Sequence, residues 1–405
     1  MIGHIPDKLK NIFTDTMWSI AGLVLMNVSA QFAVFPYLYR VLGTEAYGNV
    51  IYLIAVMNVM AISVGNGINY TRMKQSANGE TANKPYNYLM ICGSVFSILM
   101  LLLLEFIGVL KISSSNFILF CILTVITMWR YYADVEFRLS INYKGYFLYY
   151  LTIGLGYLVG ILIFKFSGLW ALVLLPGELA GLLFVLWRGS IFKKDVNIDE
   201  GVLLPIFRLA LMLVGTNVLT YIVFNGDKII LQLFAGSATV SIYHIASLFG
   251  KSMTLITTPL NGVLVGHLAK YEGCLTRKLM DQVTIISIGA IVAATFICVV
   301  ASRFVLPFLY PQDYQEYKQY LILANAAQVV YFVGNVMLAS ILLRFTHERN
   351  QLIVNVVHGF LFVMVCIPIA LLFGISGFCW GLLIVNLIRY VLCVMLGYLE
   401  GRNYK

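Results

Sequence analysis

Long apolar runs separated by short polar clusters pattern the chain from Phe13 to Leu399. The runs reach the roughly 20 residues that an α-helix needs to cross about 30 Å of hydrocarbon. Polar breaks place twelve spans at about 13–42, 47–69, 86–108, 117–139, 146–165, 168–187, 205–234, 241–266, 282–302, 319–343, 350–373 and 377–399. The alternating segments of a membrane β-barrel are absent, and a helix is then the only way to satisfy the backbone inside lipid. The pattern therefore predicts an all-α integral membrane protein. Its connections are short, so no extramembrane domain is expected to house chemistry. The first run is longer than a signal-peptide core and lacks a small-residue cleavage site, which predicts a retained first helix.

Composition agrees with this reading. Of 405 residues, 60% are hydrophobic and only 11% charged, against about 25% charged in soluble domains. The net charge of +9 sorts by connection. Lys8, Lys10, the even-numbered connections and the C-terminal Arg402 and Lys405 carry most of the basic residues. The odd connections hold only Arg40, Lys111, Lys165, Arg303 and Lys318. Positive residues stay on the cytoplasmic side, so both termini are expected there and the charge is a topology signal rather than a nucleic-acid footprint. The same loops would attract anionic headgroups. The seven cysteines lie mostly inside apolar runs without metal-ligand spacing and read as small buried hydrophobes. His244, His267 and His358 are scattered and suggest no metal site.

The chain also resembles itself. At an offset of 193, Leu38–Met57 (LYRVLGTEAYGNVIYLIAVM) overlies Leu231–Gly250 (LQLFAGSATVSIYHIASLFG), placing Gly43 on Gly236, Gly48 on Ser241 and, upstream, Gly22 on Gly215. At an offset of 206, Arg138–Gly145 meets Arg344–Gln351. These matches predict two parallel six-helix lobes, residues 1–191 and 205–405, joined by a cytoplasmic linker at 192–204. Lobes related by an axis along the membrane normal enclose a site between them in transporters and expose it alternately.

The stretch YRVLGTEAYGNV, its echo DKIILQLFAGSATVSIY, the segment LPFLYPQDYQEY and the basic fourth connection resemble the polysaccharide-biosynthesis branch of the MOP superfamily. That branch holds Wzx-type O-antigen flippases, with MATE exporters and lipid II flippases as cousins. The resemblance implies a MATE-like twelve-helix carrier around a central cavity. It implies that undecaprenyl-diphosphate-linked oligosaccharide is moved from the cytoplasmic to the periplasmic leaflet of a bacterial inner membrane. It further implies an ion gradient or downstream consumption as driving force, with a polymerase and a chain-length regulator as partners.

Charge at membrane depth costs about 2.5–3.5 kcal/mol on insertion scales and turns toward an interior or aqueous cavity. Asp227 and Lys228 stand in the outer third of the seventh span, about 100° apart around the helix. Asn217, Tyr221, Phe224 and Lys228 form one stripe, and Gly226 permits a bend beside it. Lys228, Lys251 and Arg389 are candidate partners for a diphosphate or acidic sugars. Asp227 is expected to be held by a neighbour, or to join Glu178 as a candidate for H⁺ or Na⁺ coupling; Glu178 has no evident local partner. Arg208 and Arg130 are candidate headgroup contacts on entry, although Arg130 and Asp134, at i and i+4, are expected to bridge each other. Glu105 can reach the interface. Asn27, Gln31, Asn58, Asn66 and Asn69 make a neutral polar set suited to sugar hydroxyls or to gluing helices together. Under the repeat, Val34 and Phe35 occupy the places of Asp227 and Lys228, so charge is one-sided. Pro36, Pro176, Pro259 and Pro368 mark hinges or static kinks, and Gly156-x-x-x-Gly160 marks close helix packing.

No phosphate-binding Gly-x-x-x-x-Gly-Lys-Ser/Thr loop is present, so neither ATP hydrolysis nor a bound cofactor is expected. A MATE-like exporter of cations would favour a carboxylate-rich cavity, whereas here the intramembrane cations outnumber the deep acids. A membrane polymerase or sugar transferase would need a large extramembrane loop carrying reacting groups, and no nucleophile–base constellation is visible.

Overall fold

The computed structural model describes residues 7–76, 82–193, 203–257, 260–261, 275–334, 342, 345–346 and 348–403. Pro259, His267, Cys274 and most of the 192–204 connection lie outside the described residues. Among those described, eight helices are long and apolar enough to cross a membrane. One of them runs over Thr14–Ser76, 63 residues, or about 95 Å at 1.5 Å per residue, enough for two crossings. It takes in α1 (Asp7–Val28) from Thr14 onward, a π-helical turn (Ser29–Val34) and α2 (Phe35–Ser76), and it breaks at Gly43, where φ is 78° and ψ 172°. There follow α3 (Lys84–Phe106), α4 (Ser114–Ala133), α5 (Val135–Leu139), α6 (Tyr143–Ser167), α7 (Ala171–Arg188) and α8 (Leu203–Ala235). The later helices are α9 (Ser237–Ala246), α10 (Leu248–Ser252), α11 (Arg277–Leu309), α12 (Tyr314–Tyr317) and α13 (Leu321–Val329), which runs into a second π-helical turn (Val330–Gly334). Last comes α14 (Glu348–Asn403), broken at Gly374. The expected eighth and tenth spans run into residues outside those described.

The glycines matched by the internal repeat adopt matching backbones. Gly236, which caps the N-terminus of α9, has φ 86° and ψ 169°, nearly the values at Gly43. This region is open essentially to glycine alone. The second offset finds another pair: Gly168, after α6, and Gly374, inside α14, both have positive φ, 68° and 60°. The chain thus reverses at corresponding glycines in each half. Pro176 and Pro368 lie within α7 and α14, and α8 runs unbroken through Gly226.

The chain forms two compact units, one of residues 1–41 and 52–229, the other of residues 42–51 and 230–405. In the first, α6 and α7 pack at backbone distance. A Cβ on Gly156 would lie 2.5 Å from Gly177 Cα, and one on Gly160 would lie 2.0 Å from the Val173 carbonyl oxygen. In the second, residues 42–51 lie against α9 and the segment following α11. A Cβ on Gly48 would meet the Ser237 carbonyl oxygen at 1.8 Å. The Tyr47 ring sits 6.0 Å from His244 and 6.3 Å from Tyr310, while the Thr44 hydroxyl donates to the Asp313 carboxylate. Of the described cysteines, Cys298, Cys366, Cys379 and Cys393 are buried and Cys92 is exposed; all are free thiols.

Candidate functional site

The polar residues singled out in the sequence fall into both units. Asn27, Gln31, Arg130, Glu178, Arg208, Asn217, Tyr221, Asp227 and Lys228 belong to the first; Lys251 and Arg389 belong to the second.

In the first unit Arg130, Glu178 and Asp134 are paired, but not as the helix spacing suggested. Arg130, 2% exposed, reaches Glu178 on α7 with two bonds, Nε to Oε2 at 2.6 Å and Nη2 to Oε1 at 3.3 Å. The Tyr157 hydroxyl donates to the same carboxylate. The Tyr149 hydroxyl donates to the Arg130 carbonyl at 2.7 Å, and the guanidinium lies 3.7 Å from the Tyr131 ring centroid. The expected Arg130–Asp134 bridge is therefore not formed, and Glu178 does have a partner. Asp134 instead pairs with Arg138 at 3.0 Å. The reason is directional: an acid four residues N-terminal to a base is the favoured order along a helix, and Arg130–Asp134 has it reversed. Asp134 also accepts from the Asn69 amide and the Tyr150 hydroxyl. Nearby, Arg72 is buried and donates to the Tyr132 hydroxyl and the Asn83 side chain. Two ion pairs, each wrapped by tyrosines, thus tie α4 and α5 to their neighbours.

The neutral set is used more locally. Asn27 and Asn217 each donate to the carbonyl four residues before, Leu23 and Leu213, both at 2.8 Å. Gln31 sits in the first π-helical turn, with its Oε1 buried and without a hydrogen-bond partner. Such turns concentrate at functional positions in helices. Tyr221 is joined to the second helix by a bond from Asn66 at 3.1 Å. Tyr221→Phe is expected to cost roughly 0.6 kcal/mol, the average for a side-chain hydrogen bond inside a membrane, read as a small drop in the unfolding midpoint in detergent. Asp227 is buried and accepts from the Lys228 backbone N–H at 2.8 Å, and Lys228 is half-buried. Arg208 is exposed near the start of α8.

In the second unit Lys251 is half-buried on α10, its Nζ 6.0 Å from the Tyr243 ring centroid. Asn325 fixes the backbone beneath it. Its Oδ1 accepts from Gly250 N at 2.7 Å, and its amide donates to Ala246 O and Leu321 O. Arg389 sits in a cluster that the sequence did not disclose. Its Nη2 donates to Asn355 Oδ1 at 2.8 Å, its Nη1 lies 3.3 Å from His358 Nδ1, and its charge stands 5.2 Å from the Tyr331 centroid. The Asn386 amide donates to Ala327 O at 2.8 Å, which leaves its Oδ1 to accept from His358 Nε2 at 3.0 Å. His358 Nδ1 is then the acceptor that faces Arg389. The available signal was spacing: Asn355 and His358, like Asn386 and Arg389, stand three apart on one helix face.

Among the described residues the protein is built of helices, eight of them long and apolar enough to cross a membrane, with corresponding glycine turns in its two halves, and this is the MOP fold. Solved structures with this fold agree. The lipid II flippase MurJ in an inward closed conformation superposes with a TM-score of 0.72 at 12% identity, over 94% of this chain and 87% of that one. A multidrug MATE transporter of the MOP superfamily, inward-facing, gives 0.67 at 14%, over 95% and 98%. The Vibrio cholerae MATE transporter VcmN, in its bent form, gives 0.60 at 16%, over 97% of each. No curated protein sequence matches the chain. The polysaccharide biosynthesis protein family matches residues 37–319, and the chain belongs to that family.

Proposed function

We propose that this protein is a flippase that carries an undecaprenyl-diphosphate-linked oligosaccharide, an O-antigen unit or a similar surface-polysaccharide repeat. In this reading it moves the lipid from the cytoplasmic to the periplasmic leaflet of the inner membrane by alternating access, with both termini cytoplasmic. Membership of a polysaccharide biosynthesis family is the observation that carries the reading. The chemistry of the interior supports it: Lys228, Lys251 and Arg389 supply positive charge for a diphosphate, while Asn27, Gln31, Asn217 and Tyr221 supply groups that hydrogen-bond to sugar hydroxyls. Lobes of residues 1–191 and 205–405 would rock about the 192–204 connection.

An exporter of organic cations fits the interior less well. Glu178 and Asp134, two acids at membrane depth, are each held by an arginine and are committed to structure rather than offered to a cationic drug. Coupling to H⁺ or Na⁺ through Asp227 belongs to the same proposal.

In a strain lacking the gene, undecaprenyl-linked repeat units should accumulate facing the cytoplasm. Their normal arrival in the periplasm would refute the flippase reading. Lys251→Ala and Lys228→Ala, made separately, should reduce surface-polysaccharide export at normal protein levels; undiminished export would remove those lysines from the cavity.

A further inference from the structure

The first unit carries a groove that none of the interior residues line. It lies between the opening turns of α3 and α8, holds about 390 Å³, and is walled by Pro85, Tyr88, Leu89 and Cys92 on one side and by Leu204 and Phe207 on the other. Its size falls in the range of small-molecule sites, about 300–1,000 Å³, yet its walls offer almost no polar surface. A headgroup or a sugar would find nothing to bind there; a hydrocarbon chain would.

The rim has the opposite character. Lys84 is exposed at the first residue of α3, its Nζ 5.8 Å from the ring centroid of the groove residue Tyr88. Arg208 is exposed and directly follows Phe207. An apolar trough flanked by a lysine at the opening of α3 and by an arginine one turn beyond Leu204 on α8 complements a single long hydrocarbon chain that ends in two phosphates. A common phospholipid carries one phosphate and splits its apolar part into two chains, a poorer match for this charge.

We infer that the groove between α3 and α8 is a docking site for the polyprenyl tail of a polyprenyl diphosphate, with Lys84 and Arg208 receiving the diphosphate. The inference rests on the flippase reading and extends it: the tail is held on the outer wall of the first unit while the headgroup is presented to the interior. Basic residues on the expected cytoplasmic side place the groove in the leaflet from which the substrate would be loaded.

The test uses full-length protein in nanodiscs and a farnesyl diphosphate probe with a diazirine in its tail. Mass spectrometry locates the crosslink, and either undecaprenyl diphosphate or phosphatidylglycerol serves as competitor. Labelling within Lys84–Cys92 or Leu203–Arg208, displaced by undecaprenyl diphosphate and not by phosphatidylglycerol, is the expected result. Leu204→Trp, which fills the groove from an exposed position, should weaken labelling about tenfold, the equivalent of losing two methylene contacts. Lys84→Ala with Arg208→Ala should weaken it further, and more so for the diphosphate probe than for farnesol bearing the same diazirine. Equal displacement by phosphatidylglycerol would make the groove a place for bulk lipid and overturn the inference. Specific labelling elsewhere on the protein would overturn the groove and leave the flippase reading standing. No specific labelling anywhere would count against both.

Discussion

Arg130→Leu is expected to lower the stability of the folded protein by about 3–5 kcal/mol, because it leaves the Glu178 carboxylate buried without its cation. Glu178→Leu should do the same to Arg130, which is 2% exposed and has no water to retreat to. The double variant, Arg130→Leu with Glu178→Leu, should recover most of the loss, since a buried pair replaced by apolar groups of similar volume is often neutral. Thermal unfolding of the purified variants in detergent reads all three. If the double variant loses the sum of the single losses, the residues are not coupled and the pairing is wrong. Tyr157→Phe, which removes only the hydroxyl donating to Glu178, should fall well short of either single variant.

Gly160→Leu is expected to cost at least about 3 kcal/mol, at the upper end of what overpacking does. The obstacle is backbone: the first added carbon would stand 2.0 Å from the Val173 carbonyl oxygen and 2.7 Å from its carbon, so α6 and α7 must separate along their length. Gly215→Ala is the internal control. Nothing lies within 4 Å of the Cβ it would add and its φ is helical, so the exchange should be neutral or stabilising by up to about 1 kcal/mol. Unfolding midpoints for both variants, compared in one detergent, check the contrast. Comparable losses at the two glycines would mean that helix approach does not set the cost at Gly160.

The features that the sequence disclosed well are those governed by neighbours along the chain. Gly43 and Gly236 were matched by the repeat and share a backbone conformation that side chains disfavour. Gly156 and Gly160 were matched to close packing by their spacing alone. What stayed hidden was governed by residues far apart in sequence. Arg130 and Glu178 are on different helices, and local spacing offered Asp134 as the nearer acid. Only the directional preference of acid before base, which Asp134 and Arg138 satisfy, argued against that choice. The Arg389 cluster was half legible, since Asn355 and His358 share one helix face and Asn386 and Arg389 another. That the two faces meet follows from the reversal at Gly374, whose match to Gly168 the structure disclosed. The π-helical turns left no mark in the hydropathy pattern, because runs as uniformly apolar as these have no narrow stripe whose register could be seen to shift.

The membership of the two units bears on how the protein is made. Residues 42–51 pack with the second unit, and residues 203–229 with the first. A gene severed in the connection between Lys193 and Leu203 would therefore leave each fragment without a helical stretch that its own unit is built around. The sequence repeat and the packed unit are consequently different divisions of the chain. Neither half is a candidate for independent production, and the ribosome must deliver α8 before the first unit can finish assembling.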